Sequence, residues 1–154
     1  MSGPCCVQLG AKLDYQSKGT IQQIGEFQTY QIGENKSKVI VFFTDVFGYS
    51  FVNAQRLADC FHNETGATVL IPDYFQNDPI DPNIEDLFSI LPDWLNKHPP
   101  SDACRIGQQF ISTIQQQYQT IQVLFSFSFL FFHFRKQLLD FVDYWLLLWS
   151  KSCC

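Results

Sequence analysis

Two aspartates in this chain directly follow short apolar runs. Asp45 follows the run 38–44, and Asp73 follows the run 68–71 and one proline. If these runs are neighbouring parallel strands, both aspartates lie at the carboxyl edge of the sheet, where open α/β sheets bind their ligands. A carboxylate there either bonds to nearby loop amides or takes part in the chemistry of the ligand. The sequence therefore predicts a ligand site at this edge.

The elements that would position these aspartates are a strand, a helix and a second strand. Residues 38–44 show no polar alternation, which is typical of a strand buried on both faces. Asn53 can cap a helix and Gly66 can end it. Apolar residues recur at helical spacing between them: Ala54, Leu57, Ala58 and Phe61. Two buried strands joined by a helix predict a parallel crossover and hence an α/β fold.

Further elements are predicted on both sides of this unit. Residues 19–32 predict a hairpin with a glycine between its strands. A helix is expected from Asn83 and is ended or kinked by Pro92. Asp102 can cap another helix, and Ile121 begins a further parallel strand. The apolar faces predicted for the two helices are Ile84, Leu87, Phe88 and Leu91, and Ile106, Phe110, Ile111, Ile114 and Tyr118.

Several short motifs occur in a specific order along this part of the chain. They are Asp45-Val46-Phe47-Gly48, Asn53, Arg56-Leu57-Ala58-Asp59, the run VLIPDYF at 69–75, and Asp78-Pro79. In this order and spacing they resemble the dienelactone hydrolase family, a branch of the α/β-hydrolases with a cysteine nucleophile. The resemblance covers residues 4–122, as the N-terminal part of such a domain, and is absent from residues 123–154.

The resemblance implies a partial α/β-hydrolase fold, with a parallel sheet and flanking helices. It also implies hydrolysis of a small ester or lactone through a cysteinyl acyl intermediate, without metal or cofactor. Asp45 corresponds to an acid close to the nucleophilic thiol, and the backbone N–H of Val46 to an oxyanion donor. Asn77 falls near an arginine that holds the substrate carboxylate in some bacterial relatives, so that preference does not carry over.

The nucleophile itself is missing from the sequence. A cysteine hydrolase needs its thiol on a sharp turn of the form G-x-C-x-G, with a histidine and a second acid as partners. No glycine follows Gly107, and His133 lies in a phenylalanine-rich run without an evident partner. Cys104 could have its pKa lowered by a helix dipole, but without flanking glycines a structural role is favoured. We therefore expect this chain to be inactive as written.

Residues 123–154 form an aberrant apolar tail, without glycine or proline and rich in phenylalanine. We interpret the chain as a C-terminally truncated or frame-shifted family member. With suitably chosen codons, a one-base shift over residues 140–154 encodes an apolar strand followed by G-C-C-C-G. The tail is not expected to span a membrane, which takes about 20 apolar residues. Its apolar run is interrupted by charged residues: Arg135, Lys136, Asp140 and Asp143.

Composition limits the remaining function classes. A net charge of −5 argues against nucleic acid and anionic membrane surfaces. The six cysteines fit no zinc spacing, and the N-terminus lacks the regions of a signal peptide. We expect a cytoplasmic protein with reduced cysteines. Two non-catalytic alternatives stay open: a membrane-associated protein, and a protein that binds a homologue or itself through an open sheet edge.

Overall fold

The computed structural model describes residues 14–125, which form five strands and three helices. In chain order these are β1 (Thr20–Ile24), β2 (Phe27–Ile32), β3 (Val39–Phe43), α1 (Val52–Thr65), β4 (Thr68–Pro72), α2 (Leu87–Lys97), α3 (Pro100–Ile114) and β5 (Ile121–Phe125). Residues 123–125 of the predicted tail belong to β5. The expectations for the rest of the tail, for His133 and for the frame shift lie outside the described residues.

The strands form one mixed sheet in the order β1-β2-β4-β3-β5. β3 runs parallel to both β4 and β5, which confirms the predicted crossover and the further parallel strand. β2 pairs antiparallel with β1 and with β4, so the predicted hairpin is also confirmed and lies at one edge. The architecture is therefore an α/β fold with a mixed, rather than a purely parallel, sheet.

Helices cover both faces of the central strands. Every residue of β3 and β4 is buried, as their unbroken apolar runs predict. Successive side chains of a strand point to opposite faces. The Phe42 ring meets Phe61 of α1 at 5.7 Å, whereas the next side chain, Phe43, lies against Gly107 of α3. α1 and α3 thus enclose the sheet from opposite sides.

The end of α1 is confirmed, but its predicted start is wrong. Gly66 ends the helix in the left-handed conformation, with φ 65°. Asn53 does not cap it, because it is buried within the first turn and the N-cap is Phe51, which makes no side-chain cap bond. The Phe51 ring packs 5.0 Å from that of Phe47. Apolar packing, rather than a polar cap, sets where the helix begins.

α2 begins later than predicted, and of the two outcomes expected at Pro92 the helix does not end there. Its N-cap is Asp86, whose side chain accepts from the Ser89 N–H at 3.2 Å. Pro92 lies inside the helix instead of ending it, because the buried Trp94 anchors the turn beyond the proline. Leu87 and Leu91 pack against the core as predicted, but Phe88 is 70% exposed.

α3 buries the predicted apolar residues but is not capped by Asp102. Its N-cap is Pro99, and Asp102 lies in the first turn, where its charge suits the helix dipole. A proline also stands in the first turn, with a backbone angle already suited to a helix. Ile106, Phe110, Ile111 and Ile114 are buried, and Tyr118 lies beyond the helix, half-buried.

Candidate functional site

Asp45 and Asp73 lie at the same edge of the sheet, just beyond the carboxyl ends of β3 and β4. The ring of Tyr74 lies between these two strand ends, and its buried hydroxyl donates to the Thr44 carbonyl. Burial raises the pKa of Tyr74, and the nearby carboxylates of Asp45 and Asp73 raise it further. The edge therefore brings together two carboxyl groups and a phenol. The two aspartates lie where the sequence predicted them.

Asp45 lies in a poorly hydrated position. Its Oδ1 accepts a hydrogen bond from the Phe47 backbone N–H at 3.2 Å. Burial raises the pKa of Asp45 above its ordinary value, and the bond from Phe47 offsets part of that increase. The carboxyl thus holds its proton more tightly than a solvated aspartate would.

The loop between β3 and α1 is closed by a tight turn at Gly48. The Gly48 N–H donates to the Asp45 carbonyl at 3.1 Å, and Gly48 has φ 75°. A Cβ at this position would lie only 2.9 Å from Pro79, so both the angle and the space require glycine. Val46 is 4% exposed, and its carbonyl accepts from the Ile80 N–H at 2.9 Å.

Asp73 shapes the loop after β4. Its carboxylate accepts from the backbone N–H groups of Phe75 at 3.2 Å and Asn77 at 2.8 Å. Gln76 and Asn77 both adopt the left-handed conformation, with φ 55° and 63°. Burial raises the pKa of Asp73, and the backbone bonds oppose that increase. Burial also raises the pKa of Tyr49, with a further contribution from Asp73.

α2 is attached to the same loop by aromatic and polar contacts. The Phe75 ring lies 4.8 Å from Trp94 and 5.8 Å from His98. Trp94 Nε1 donates to the Asp78 carbonyl at 2.9 Å, and His98 Nε2 lies 2.9 Å from the Asp78 carboxylate. This part of the site edge is therefore held by a helix as well as by the sheet.

The sequence did not indicate the two phenols at this edge. Tyr74 stands in the matched motif, but nothing in its neighbours shows that its hydroxyl reaches the end of β3. Tyr49 follows the glycine turn and reaches the environment of Asp73 only in the folded chain. Their one shared signal is that each comes within a few residues of a strand-ending aspartate.

Cys104 does not resemble an activated nucleophile. It is partly buried, and burial raises the pKa of its thiol rather than lowering it. The histidine nearest in sequence, His98, is bound to Asp78. Within residues 14–125 no three His, Cys, Asp or Glu side chains come together as a metal site would require. No helix in that part of the chain is long and apolar enough to cross a bilayer.

A groove of about 620 Å³ lies between the β1–β2 turn and α3. It contains none of the strand-end residues described above. Its lining residues are Gly25, Glu26, Phe27, Arg105, Gln108, Gln109, Ser112 and Thr113.

Curated proteins similar to this chain are named as hydrolases. The hydrolase pyvD of Aspergillus violaceofuscus is 31% identical over 99 residues, which cover 62% of this chain and 39% of that protein. A carboxymethylenebutenolidase homolog of Rattus norvegicus is 29% identical over 97 residues, 61% of this chain and 38% of the relative. These matches confirm the resemblance to the dienelactone hydrolase family. A homolog from Mus musculus with the same name is 26% identical over 119 residues, 75% of this chain and 47% of its own length.

The similarity to the dienelactone hydrolases is partial. The chain spans less than half the length of each of these relatives. No family model matches the chain, and no solved structure matches it.

Proposed function

We propose that residues 14–125 form the oxyanion and acid side of an ester or lactone hydrolase of the dienelactone hydrolase type. The observation that carries this proposal is the similarity to relatives named as hydrolases. The strand order is consistent with part of an α/β-hydrolase sheet, in which the site lies beyond the carboxyl ends of the strands. A small ester or lactone is the proposed substrate class.

Asp45 is the proposed acid beside the nucleophilic thiol. Its position after a buried central strand and its raised pKa suit a carboxyl that holds a proton, or receives one, next to a sulfur atom. A fully solvated carboxylate in the same place would be ionised and surrounded by water. Its bond to the Phe47 amide keeps the side chain folded back over its own loop.

Val46 is the proposed source of one oxyanion donor. A backbone N–H held in a rigid turn can stabilise the negative oxygen of a tetrahedral intermediate without reorganising during the reaction. The Gly48 N–H bonds to the carbonyl before Val46, and the Ile80 N–H bonds to the carbonyl of Val46 itself. The peptide groups on both sides of Val46 are therefore restrained. Such a donor contributes roughly 10²–10³-fold in rate where it has been removed from other hydrolases.

We also propose that the 154-residue polypeptide does not catalyse the reaction. Acyl transfer needs a thiolate aligned with the oxyanion donors and a base to accept its proton. The sequence contains no G-x-C-x-G motif. Of the two cysteines described, Cys104 has a raised pKa, and Cys60 is half-buried in the second half of α1. The described residues therefore supply support for the chemistry but not its nucleophile.

The test combines a hydrolysis assay with sequencing of the transcript. The 154-residue chain is expected to hydrolyse p-nitrophenyl acetate no faster than buffer, with no effect of iodoacetamide. Sequencing across the codons for residues 122–154 is expected to reveal a frame that encodes the G-x-C-x-G elbow. The product of that frame should hydrolyse the ester, lose activity with iodoacetamide, and lose most of kcat on Asp45→Asn substitution. An elbow-bearing product without thiol-dependent hydrolysis would disprove the proposal.

A further inference from the structure

The peptide groups on either side of Asp45 are both held through their carbonyl oxygens. The Thr44 carbonyl accepts from the Tyr74 hydroxyl. The Asp45 carbonyl accepts from the Gly48 N–H at 3.1 Å and from the Thr44 hydroxyl at 3.2 Å. A peptide plane whose carbonyl is bonded cannot rotate without breaking that bond. Both planes are thus restrained.

The next peptide group is held in the same way. The Val46 carbonyl accepts from the Ile80 N–H at 2.9 Å. In a trans peptide the N–H points opposite to the carbonyl of the same plane. Because the Asp45 carbonyl is turned towards Gly48, the Val46 N–H points to the other side of the loop. Its direction is therefore fixed by the bonds that the Asp45 carbonyl accepts.

Two of the groups that hold these carbonyls come from outside the loop. Tyr74 and Ile80 both belong to the segment that follows β4. That segment contains consecutive left-handed residues, Gln76 and Asn77, which do not favour this conformation as glycine does. Such backbone strain persists only where the surroundings enforce it. Here the Asp73 carboxylate enforces it by accepting from the turn amides.

The Tyr74 ring is itself well fixed. Its centroid lies 5.4 Å from that of Phe43 and 4.2 Å from that of Phe75, and the residue is buried. With the ring held on both sides, the hydroxyl has one available acceptor direction, towards Thr44. Replacing Tyr74 by phenylalanine would remove the bond while leaving the packing in place.

We propose that Tyr74 is a positioning residue that, through its bond to the Thr44 carbonyl, restrains the peptide plane before Asp45 and thereby the loop that carries the Val46 N–H. The segment from Tyr74 to Ile80 then acts as a brace for the loop after β3. The functional meaning of this brace rests on the proposed oxyanion role of Val46. The brace itself is a property of the 154-residue chain and is testable without catalysis.

The test is hydrogen exchange at single-residue resolution on the full chain, comparing Tyr74→Phe with Tyr30→Phe. Tyr30 is the matched control because it is also buried and its hydroxyl bonds away from the loop, donating to Asp59 and accepting from the Gly19 N–H. In the unmodified chain the Gly48 and Ile80 N–H groups should be protected, although both lie in loops. Tyr74→Phe should accelerate their exchange about tenfold relative to Val41 and Leu70 of the core, as expected for loss of one buried hydrogen bond.

Tyr30→Phe should leave that ratio unchanged, even if it lowers overall stability. A second readout is the titration of the Asp45 carboxyl carbon by NMR. A loosened loop admits water, so the pKa of Asp45 should fall in Tyr74→Phe and stay constant in Tyr30→Phe. Unprotected loop amides in the unmodified chain, or equal ratios in both variants, would overturn the brace. If the ratios change as expected but an elbow-bearing product fails to hydrolyse esters, the proposed function fails and the brace stands.

Discussion

Asp59 on α1 offers the sharpest test of how this domain is held together. Its Oδ2 accepts from the Tyr15 hydroxyl at 2.7 Å and from the Lys18 N–H at 2.9 Å. Its Oδ1 accepts from the Tyr30 hydroxyl at 2.5 Å. Asp59 and Tyr30 are each only 1% exposed. One buried carboxylate therefore joins α1, β2 and the segment before β1.

We consider the substitution Asp59→Asn, which keeps the shape but replaces one acceptor oxygen by an NH₂ donor. The amide can accept from Tyr30, or from Tyr15 and Lys18, but not from all of them. In one orientation of the new amide, its NH₂ group faces the Lys18 backbone N–H. Two donors then meet, because a backbone N–H cannot accept a hydrogen bond. The other orientation leaves the Tyr30 hydroxyl proton without an acceptor, since that oxygen already accepts from the Gly19 N–H at 2.8 Å.

The magnitude follows from the bonds that change. Hydrogen bonds to a charged group contribute roughly 1.5–3 kcal/mol each, and neutral ones about 1 kcal/mol. Asp59→Asn weakens three hydrogen bonds, two of them from partly exposed donors, but it also removes the cost of a buried charge. The net loss in the free energy of unfolding is about 2 kcal/mol. Asp59→Ala, which leaves every donor without its acceptor, should cost roughly 3–5 kcal/mol.

The assay is urea unfolding followed by circular dichroism, with Tyr15→Phe as the control at a partly exposed site. Tyr15→Phe should cost less than about 1 kcal/mol because water can replace its partner. A cycle of Tyr30→Phe and Asp59→Asn should show a coupling of at least about 1 kcal/mol. A loss below about 0.5 kcal/mol for Asp59→Asn, with an unchanged m value, would refute the reasoning.

Four further predictions concern protonation and glycine positions. Burial raises the pKa of Asp45 above its ordinary 3.8. The contribution of the protonated carboxyl to the free energy of unfolding is therefore fully present below pH 3.8, and it is lost as the pH rises through the pKa of the folded chain. Asp45→Asn should therefore gain stability relative to the unmodified chain above pH 3.8, as measured by urea unfolding across pH. Gly66→Ala should lose about 1 kcal/mol from its φ of 65° alone, since no atom lies within 4 Å of the added Cβ. Gly107→Ala should instead lose stability because the added Cβ would lie 3.1 Å from the Phe43 ring. Phe43→Leu should recover the loss caused by Gly107→Ala but not the loss caused by Gly66→Ala. Alkylation of Cys104, followed by mass spectrometry, should reach half its maximal rate above pH 9.0, because burial raises the pKa of that thiol.

The strands could be predicted because their evidence is local. Residues 38–44 and 68–71 have no polar alternation, and β3 and β4 are buried on both faces. Gly66 is likewise predictable, since a left-handed helix end favours glycine over every other residue. The placement of Asp45 and Asp73 at one edge follows from two parallel strands alone.

Helix starts were predicted less well because tertiary packing overrode the local signals. Asn53 and Asp102 are good capping residues, yet each lies within the first turn of its helix. Aromatic packing places Phe51 as the N-cap of α1, and Pro99 and Pro100 stand at the start of α3. A capping bond contributes about 1 kcal/mol, which burial of a large aromatic side chain readily exceeds.

The contacts that define the candidate site were decided only by the fold. The bond from Tyr74 to Thr44 joins residues far apart in the chain, and the bond from Ile80 to Val46 does the same. Sequence determines which side chains can donate and accept, but not which groups meet across separate loops. Pairing of β3 with β4 brings the two loops to one edge, and burial there then selects the partners, because an unpaired buried polar group is costly.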